Sequence, residues 1–172
     1  PFFMKYLLLL VLLCSVFSFA ENNEAPGLKI WLEDQKGEQY CTAIYVQSIN
    51  SQYIPIGTSS IYVEYDKTHH QFISYEPDWF NDNRKCEALP LAGYRSQSYY
   101  TEYAGVVNIT ITNTHPVLAC PTVGEMPVKV GELCFEPIGA ANNSSIKINP
   151  EHTHFNVASL EAQEIENIII LD

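Results

Sequence analysis

Positive charge is scarce in this chain: 9 Lys and Arg stand against 20 Asp and Glu in 172 residues, a net charge of −11. Neutralising a phosphate backbone takes clustered Lys and Arg, and the one basic pair is Arg84-Lys85, so nucleic acid is not an expected partner. Long apolar runs are missing too. The one near the start holds about 14 residues, short of the ~20 a helix needs to cross a bilayer, so no stable membrane anchor is expected. No two cysteines are spaced C-x-x-C, which removes a thioredoxin-like redox pair and a zinc knuckle. G-x-S-x-G is absent, and no carboxylate pair stands out among so many acids. No catalytic residue is assigned, and the expectation is that the protein is not an enzyme. Helical periodicity is confined to Ser159 to Asn167, where Ser159 caps and Glu161, Glu164 and Glu166 line one wet face.

What is present makes a folded, exported protein. Apolar residues are 47% of the chain, with 11 Tyr, 8 Phe and 2 Trp, enough for one core and too aromatic for a disordered acidic tail. Met4-Lys5, the apolar run from Tyr6 to Val16, and Ser18-Phe19-Ala20 have the order of a signal peptide, with cleavage expected after Ala20. Leu13 before Cys14 argues against a lipid anchor, and Pro1-Phe2-Phe3 precede the only plausible start. Losing Lys5 and no acid moves the net charge from −11 to −12. Cys41, Cys86, Cys120 and Cys134 then remain, an even set in an oxidising compartment. Three pairings exist. Cys41–Cys134 and Cys86–Cys120 are chosen because the first two lie in strand-like runs and the second two in loop-like ones, each bridge stabilising by about 3 to 4 kcal/mol.

The remainder reads as short strands. Leu28 to Leu32 is apolar, and Tyr40 to Ile49 is apolar on both faces, as a central strand should be. Ser60 to Asp66 alternates, and His70 to Glu76 sets Phe72 and Ser74 opposite Ile73 and Tyr75, with a hairpin-sized Asp66-Lys67-Thr68 between them. Ser98 to Tyr103 follows. In Gly105 to Asn113, Val107, Ile109 and Ile111 alternate with Asn108, Thr110 and Thr112, one dry face and one wet. Val128 to Phe135, Ile146 to Ile148 and Phe155 to Ala158 complete eight or nine strands, and Ile168 to Leu171 looks like a strand cut short. Turn signals without crossover helices give an all-β fold, an antiparallel two-sheet sandwich or jelly roll, preceded by a signal-peptide helix. The expected division is 1–20 signal peptide, 21–158 sandwich and 159–172 a C-terminal segment that begins a further element.

Tyr40-Cys41 opening a strand, Ile61-Tyr62-Val63-Glu64-Tyr65-Asp66 some way on, and Val130-Gly131-Glu132-Leu133-Cys134-Phe135-Glu136 later together resemble a group of secreted modules. These are the cohesin-like, immunoglobulin-like β-sandwich domains of Bacteroidetes-type surface proteins. The resemblance spans positions 38 to 158 and implies a non-catalytic module. With no sorting domain before Asp172, the chain is expected to be a fragment.

Candidate site residues are weighed against simpler roles. Residues 77 to 97 form the longest stretch without alternation, and its Trp79-Phe80, with Tyr99 and Tyr100, offers flat rings for a sugar or a protein partner. Trp79 is the preferred contact; the core claims most of the others. His152-Thr153-His154 places two imidazoles at i and i+2 on one face of a strand, a spacing that can present two nitrogens to a metal, although surface histidines are far commoner. Asp78, Asp82 and Glu87 crowd oxygens that calcium would accept, without the order of a dedicated calcium loop. Asn108-Ile109-Thr110 and Asn142-Asn143-Ser144-Ser145 match the glycosylation sequon, which matters only in a eukaryotic host. The expected function is a secreted, extracellular or cell-surface binding, adhesion or scaffold module for a protein or glycan partner, with no cofactor. The alternative is a small metal-binding jelly roll or enzyme using His152 and His154.

Overall fold

The computed structural model describes residues 25–35, 40–50, 52–78, 94–101, 105–113, 122–138, 146–159 and 163–171, with backbone alone for 94–101. The segment expected to be a signal peptide, together with Trp79, Phe80, Asp82, Glu87, Cys86 and Cys120, lies outside these residues.

Among the described residues, eleven strands follow one another: β1 (Gly27–Gln35), β2 (Tyr40–Ser48), β3 (Ser59–Tyr65), β4 (His70–Pro77), β5 (Tyr94–Thr101), β6 (Val106–Asn113), β7 (Val128–Pro137), β8 (Ile146–Ile148), β9 (Asn156–Val157), β10 (Gln163–Glu164) and β11 (Asn167–Leu171). They build a five-stranded sheet in the order β11-β1-β2-β7-β4, a four-stranded sheet in the order β5-β6-β3-β8, and a small β10-β9 pair. The core gathers the inner faces of the two large sheets: Leu28, Ile30, Ile44, Val46, Leu133 and Phe135 from one, and Ile61, Val63, Val107, Ile109, Ile111 and Ile148 from the other. A sheet that is apolar on one face must cover it, and the second sheet does so here.

Particular residues explain the arrangement. β2, apolar on both faces, occupies the middle of the larger sheet. β6 keeps its expected dry face, with Val107, Ile109 and Ile111 fully buried. It begins after Gly105, whose φ of +63° belongs to the left-handed region, and a β-carbon there would lie 2.6 Å from the Tyr65 carbonyl oxygen. The Gly105 carbonyl accepts from the Tyr65 N–H at 2.9 Å, so the turn and β3 hold each other.

Four expectations are corrected. β3 and β4 do not form a hairpin: β3 pairs with β6 and β8, and β4 with β7. The Asp66 turn carries the chain from one sheet to the other. The Asp66 carboxylate accepts from the Thr68 N–H at 2.8 Å and the His70 N–H donates to the Asp66 carbonyl at 2.9 Å, which closes a tight corner. Within β4, a bulge between Phe72 and Ser74 resets the alternation. Phe72 stands opposite Phe135 and Ser74 opposite Cys134, so the two occupy different faces, and Ile73 is extruded to 47% exposure. The helix expected over Ser159 to Asn167 is not formed in its described part, where Gln163–Glu164 is a strand and Ile165 is buried among core residues. Burial of one isoleucine and pairing with β9 outweigh a weak local periodicity. Finally, β11 lies parallel to β1, from Gly27 opposite Asn167 to Trp31 opposite Leu171, so the sandwich extends past the boundary expected at residue 158.

Candidate functional site

The outer face of the four-stranded sheet takes its side chains from the alternate positions of β3, β6 and β8. Ile61, Val63 and Tyr65 point inward, which leaves Ser60, Tyr62 and Glu64 on the outside. The register sets Tyr62 opposite Asn108 and Ser60 opposite Thr110, with Lys147 opposite Glu64 on the other side. The same register places Tyr99 opposite Asn108 and Tyr100 opposite Val107.

A turn at residues 149–154 is fastened to this face. Asn149 accepts from the Glu151 and His152 N–H groups at 2.8 and 3.1 Å, and its amide donates to the Glu64 carboxylate. Lys147 Nζ lies 3.4 Å from the same carboxylate. The Asn149 bond, helped by Lys147, holds Glu64 below the usual carboxylate range against the opposing effect of its burial. The Thr153 hydroxyl accepts from the Tyr62 N–H at 3.1 Å, and Ser60 and His154 exchange backbone hydrogen bonds of 2.8 and 2.9 Å. The result is a rim in which the Tyr62 ring stands among hydrogen-bonding groups. Asn108 Oδ1, shielded from solvent within it, has no hydrogen-bond partner among the described residues.

The two histidines singled out by the sequence flank this rim with separate partners. His152 packs on Tyr62 with ring centroids 5.6 Å apart, and His154 Nδ1 lies 2.8 Å from Glu164 Oε1. Among the described residues, the one place where three His, Cys, Asp or Glu ligand atoms converge is Cys41, Glu132 and Cys134, so His152 and His154 are not joined by a third ligand there. Asp78, taken from the sequence as an oxygen ligand, lies 3.9 Å from Lys129 Nζ.

The opposite sheet carries features that the sequence reading missed. Trp31 on β1 stacks on Tyr45 of β2 with centroids 5.6 Å apart, in a cross-strand row that runs from Leu171 to Lys129. Alternation in Lys29-x-Trp31-x-Glu33 was the available signal, overshadowed by the more conspicuous Trp79. Cys41 and Cys134 stand directly opposite each other on β2 and β7 and are joined, as the strand-like setting of both cysteines led one to expect. A cleft of about 270 Å³ between Gly57-Thr58 and Asn156 to Ser159, closed by Asn113, contains no titratable side chain among its lining residues.

No family model and no curated protein matches the chain. Solved structures do. The third cohesin ScaC of Acetivibrio cellulolyticus, in complex with the ScaB dockerin, superposes with a TM-score of 0.59 at 17% identity, over 83% of this chain and 93% of that one. The seventh ScaB type I cohesin of Pseudobacteroides cellulosolvens gives 0.57 at 9% identity, over 84% and 88%. The OlpA cohesin of Clostridium thermocellum, in a type I cohesin–dockerin complex, gives 0.57 at 11%, over 84% and 99%. At such identities the likeness is one of fold, and it agrees with the packed sheets described above: the chain is a cohesin-like β-sandwich.

Proposed function

We propose that the chain is a secreted, non-catalytic scaffold module that holds a protein partner of the dockerin type on the outer face of its four-stranded sheet. The observation that carries this reading is the outer face around Tyr62: an aromatic ring bordered by the hydroxyl-bearing Ser60 and Thr110 and by the hydrogen-bonded turn at 149–154. An aromatic anchor among polar groups suits a protein partner that supplies an apolar contact and hydrogen-bonding groups together. Two of the structurally similar cohesins were solved in complexes with dockerins. The net charge of −11 favours a partner with a basic contact surface, chiefly through the rate of encounter. Export rests on the order of Met4-Lys5, the apolar run and Ser18-Phe19-Ala20.

Calorimetric titration with purified dockerins from the organisms above tests the reading. Binding is expected, and Tyr62→Ala and Thr110→Arg should each weaken it by about 2 kcal/mol or more, the scale of an interface hot spot. Binding that ignores both substitutions, or no binding to any dockerin, would overturn the assignment. A glycan array with Trp79→Ala as control decides the sugar version of the partner. N-terminal sequencing of the exported chain should read from Glu21.

A further inference from the structure

On the outer face of the five-stranded sheet, away from the proposed docking rim, two sulfurs and a carboxylate converge. The β2·β7 register sets Cys41 against Cys134, with their Cα atoms 4.1 Å apart, and sets Ala43 against Glu132 one step along the same face. Glu132 Oε1 lies 3.9 Å from Cys134 Sγ, and the ligand atoms of Cys41, Cys134 and Glu132 all fall within 4.8 Å of one another. Lys129 Nζ grips the other carboxylate oxygen, Oε2, at 2.8 Å, which fixes the orientation of Glu132 and leaves Oε1 on the sulfur side. The cysteines are only 8% and 7% exposed, so the corner is largely closed to water.

We infer that reduction of the Cys41–Cys134 bond turns this corner into a site for a thiophilic divalent cation of the zinc class, with Cys41 Sγ, Cys134 Sγ and Glu132 Oε1 as ligands. The step balances. A dithiol or phosphine reductant supplies two electrons, the S–S bond breaks, and two protons from the reductant or water leave two thiols. The cation then displaces both thiol protons to solvent. Two thiolates and a carboxylate carry three negative charges, so the occupied site has a net charge of −1, which Lys129 offsets. A tetrahedral zinc with bonds of about 2.3 Å to sulfur needs the two sulfurs roughly 3.8 Å apart. Strand pairing keeps the two Cα atoms close whether or not the sulfurs are bonded, so small side-chain rotations reach that separation. Three ligands leave a fourth position for water. Sulfur donors select a soft or borderline cation over calcium or magnesium. Lys129 plays the part that outer partners play around ligating carboxylates, holding the group ready rather than touching the metal. The same three residues are thus a covalent staple when oxidised and a chelate when reduced.

The test uses the full chain with Cys14, Cys86 and Cys120 replaced by Ser, so that one thiol pair remains. After reduction and removal of the reductant under nitrogen, cobalt(II) is titrated and the thiolate-to-cobalt charge-transfer absorption is followed, with zinc then displacing cobalt. One equivalent of uptake is expected in the reduced chain and none in the oxidised one. Cys41→Ser should abolish the band, and Glu132→Ala should weaken binding about tenfold or more. A folded, reduced chain without the band, or equal affinity in Glu132→Ala, would overturn the assignment. If reduction unfolds the chain, zinc should restore its β-sheet circular dichroism but not that of the Cys41→Ser variant; failure to restore it would equally overturn the proposal.

Discussion

The ring of Tyr75 lies across Gly131. Its hydroxyl donates to the Val130 carbonyl at 3.4 Å, and a β-carbon added at Gly131 would sit 2.6 Å from that hydroxyl oxygen and 2.7 Å from the Glu76 carbonyl. A ring packed over a strand glycine restores the contact area the glycine lacks, at the point where β2, β7 and β4 meet. Gly131→Ala should therefore cost about 1 to 3 kcal/mol in urea unfolding. Adding Tyr75→Ala should not recover the full loss, because the backbone clash with Glu76 remains. Full recovery would show that the ring alone sets the constraint.

Phe135 is the hub of the aromatic end of the core. Its ring lies 5.2 Å from Tyr65, 5.9 Å from Phe72, 6.0 Å from His70 and 6.4 Å from Tyr40, centroid to centroid, joining residues of both sheets. Phe135→Ala should destabilise by about 3 to 5 kcal/mol, more than any single substitution on the outer faces. Thermal melts followed by circular dichroism would read this directly.

Two acid-sensitive groups flank the same corner, with separate pH windows. Burial, aided by the nearby His69, lowers the His70 pKa below 6.5, while Asp66 opposes that shift. The unfolded chain therefore binds this proton more readily than the folded one. The associated stability is complete above about pH 6.5 and declines as pH falls below it. Asp66 is held at about 2 by hydrogen bonds from Thr68 and His69. Its contribution is present above its ordinary value of 3.8 and is lost as pH falls toward 2. In a stability profile against pH, His70→Phe should remove the upper step and Asp66→Asn the lower. A profile unchanged by either substitution would contradict these shifts.

Thr42 occupies an inward position on β2 opposite Leu133. It is 1% exposed, and its hydroxyl oxygen has no hydrogen-bond partner among the described residues. A buried hydroxyl without a partner costs free energy that a methyl of the same shape does not. Thr42→Val is expected to stabilise the fold by about 1 kcal/mol, read as a shift of the urea midpoint with an unchanged slope.

The parts of the fold legible in the sequence were those where one residue and its neighbours settle the matter. Val107, Ile109 and Ile111 declare a half-buried strand by alternation, and the doubly apolar run from Cys41 to Val46 declares a central one. The site was less legible. Tyr62 and Glu64 alternate visibly with buried neighbours, but nothing near them in the chain announces Asn149, His152 or Thr153, which reach the same rim from some 85 to 91 residues away. Trp31 was concealed for a similar reason, since its stacking partner Tyr45 is adjacent only through the β1·β2 register.

Composition and period decided, before any folding, that this chain makes paired sheets with one dry side each, because side chains in a strand alternate regardless of what surrounds them. Which strands pair was left to the tertiary structure. The Asp66 corner sends β4 to the other sheet, the Ile73 bulge reverses its faces, and Ile168 and Ile170 pair with β1. Pairing depends on which apolar faces can be covered at once, a property of the whole assembled core that no local window of sequence contains.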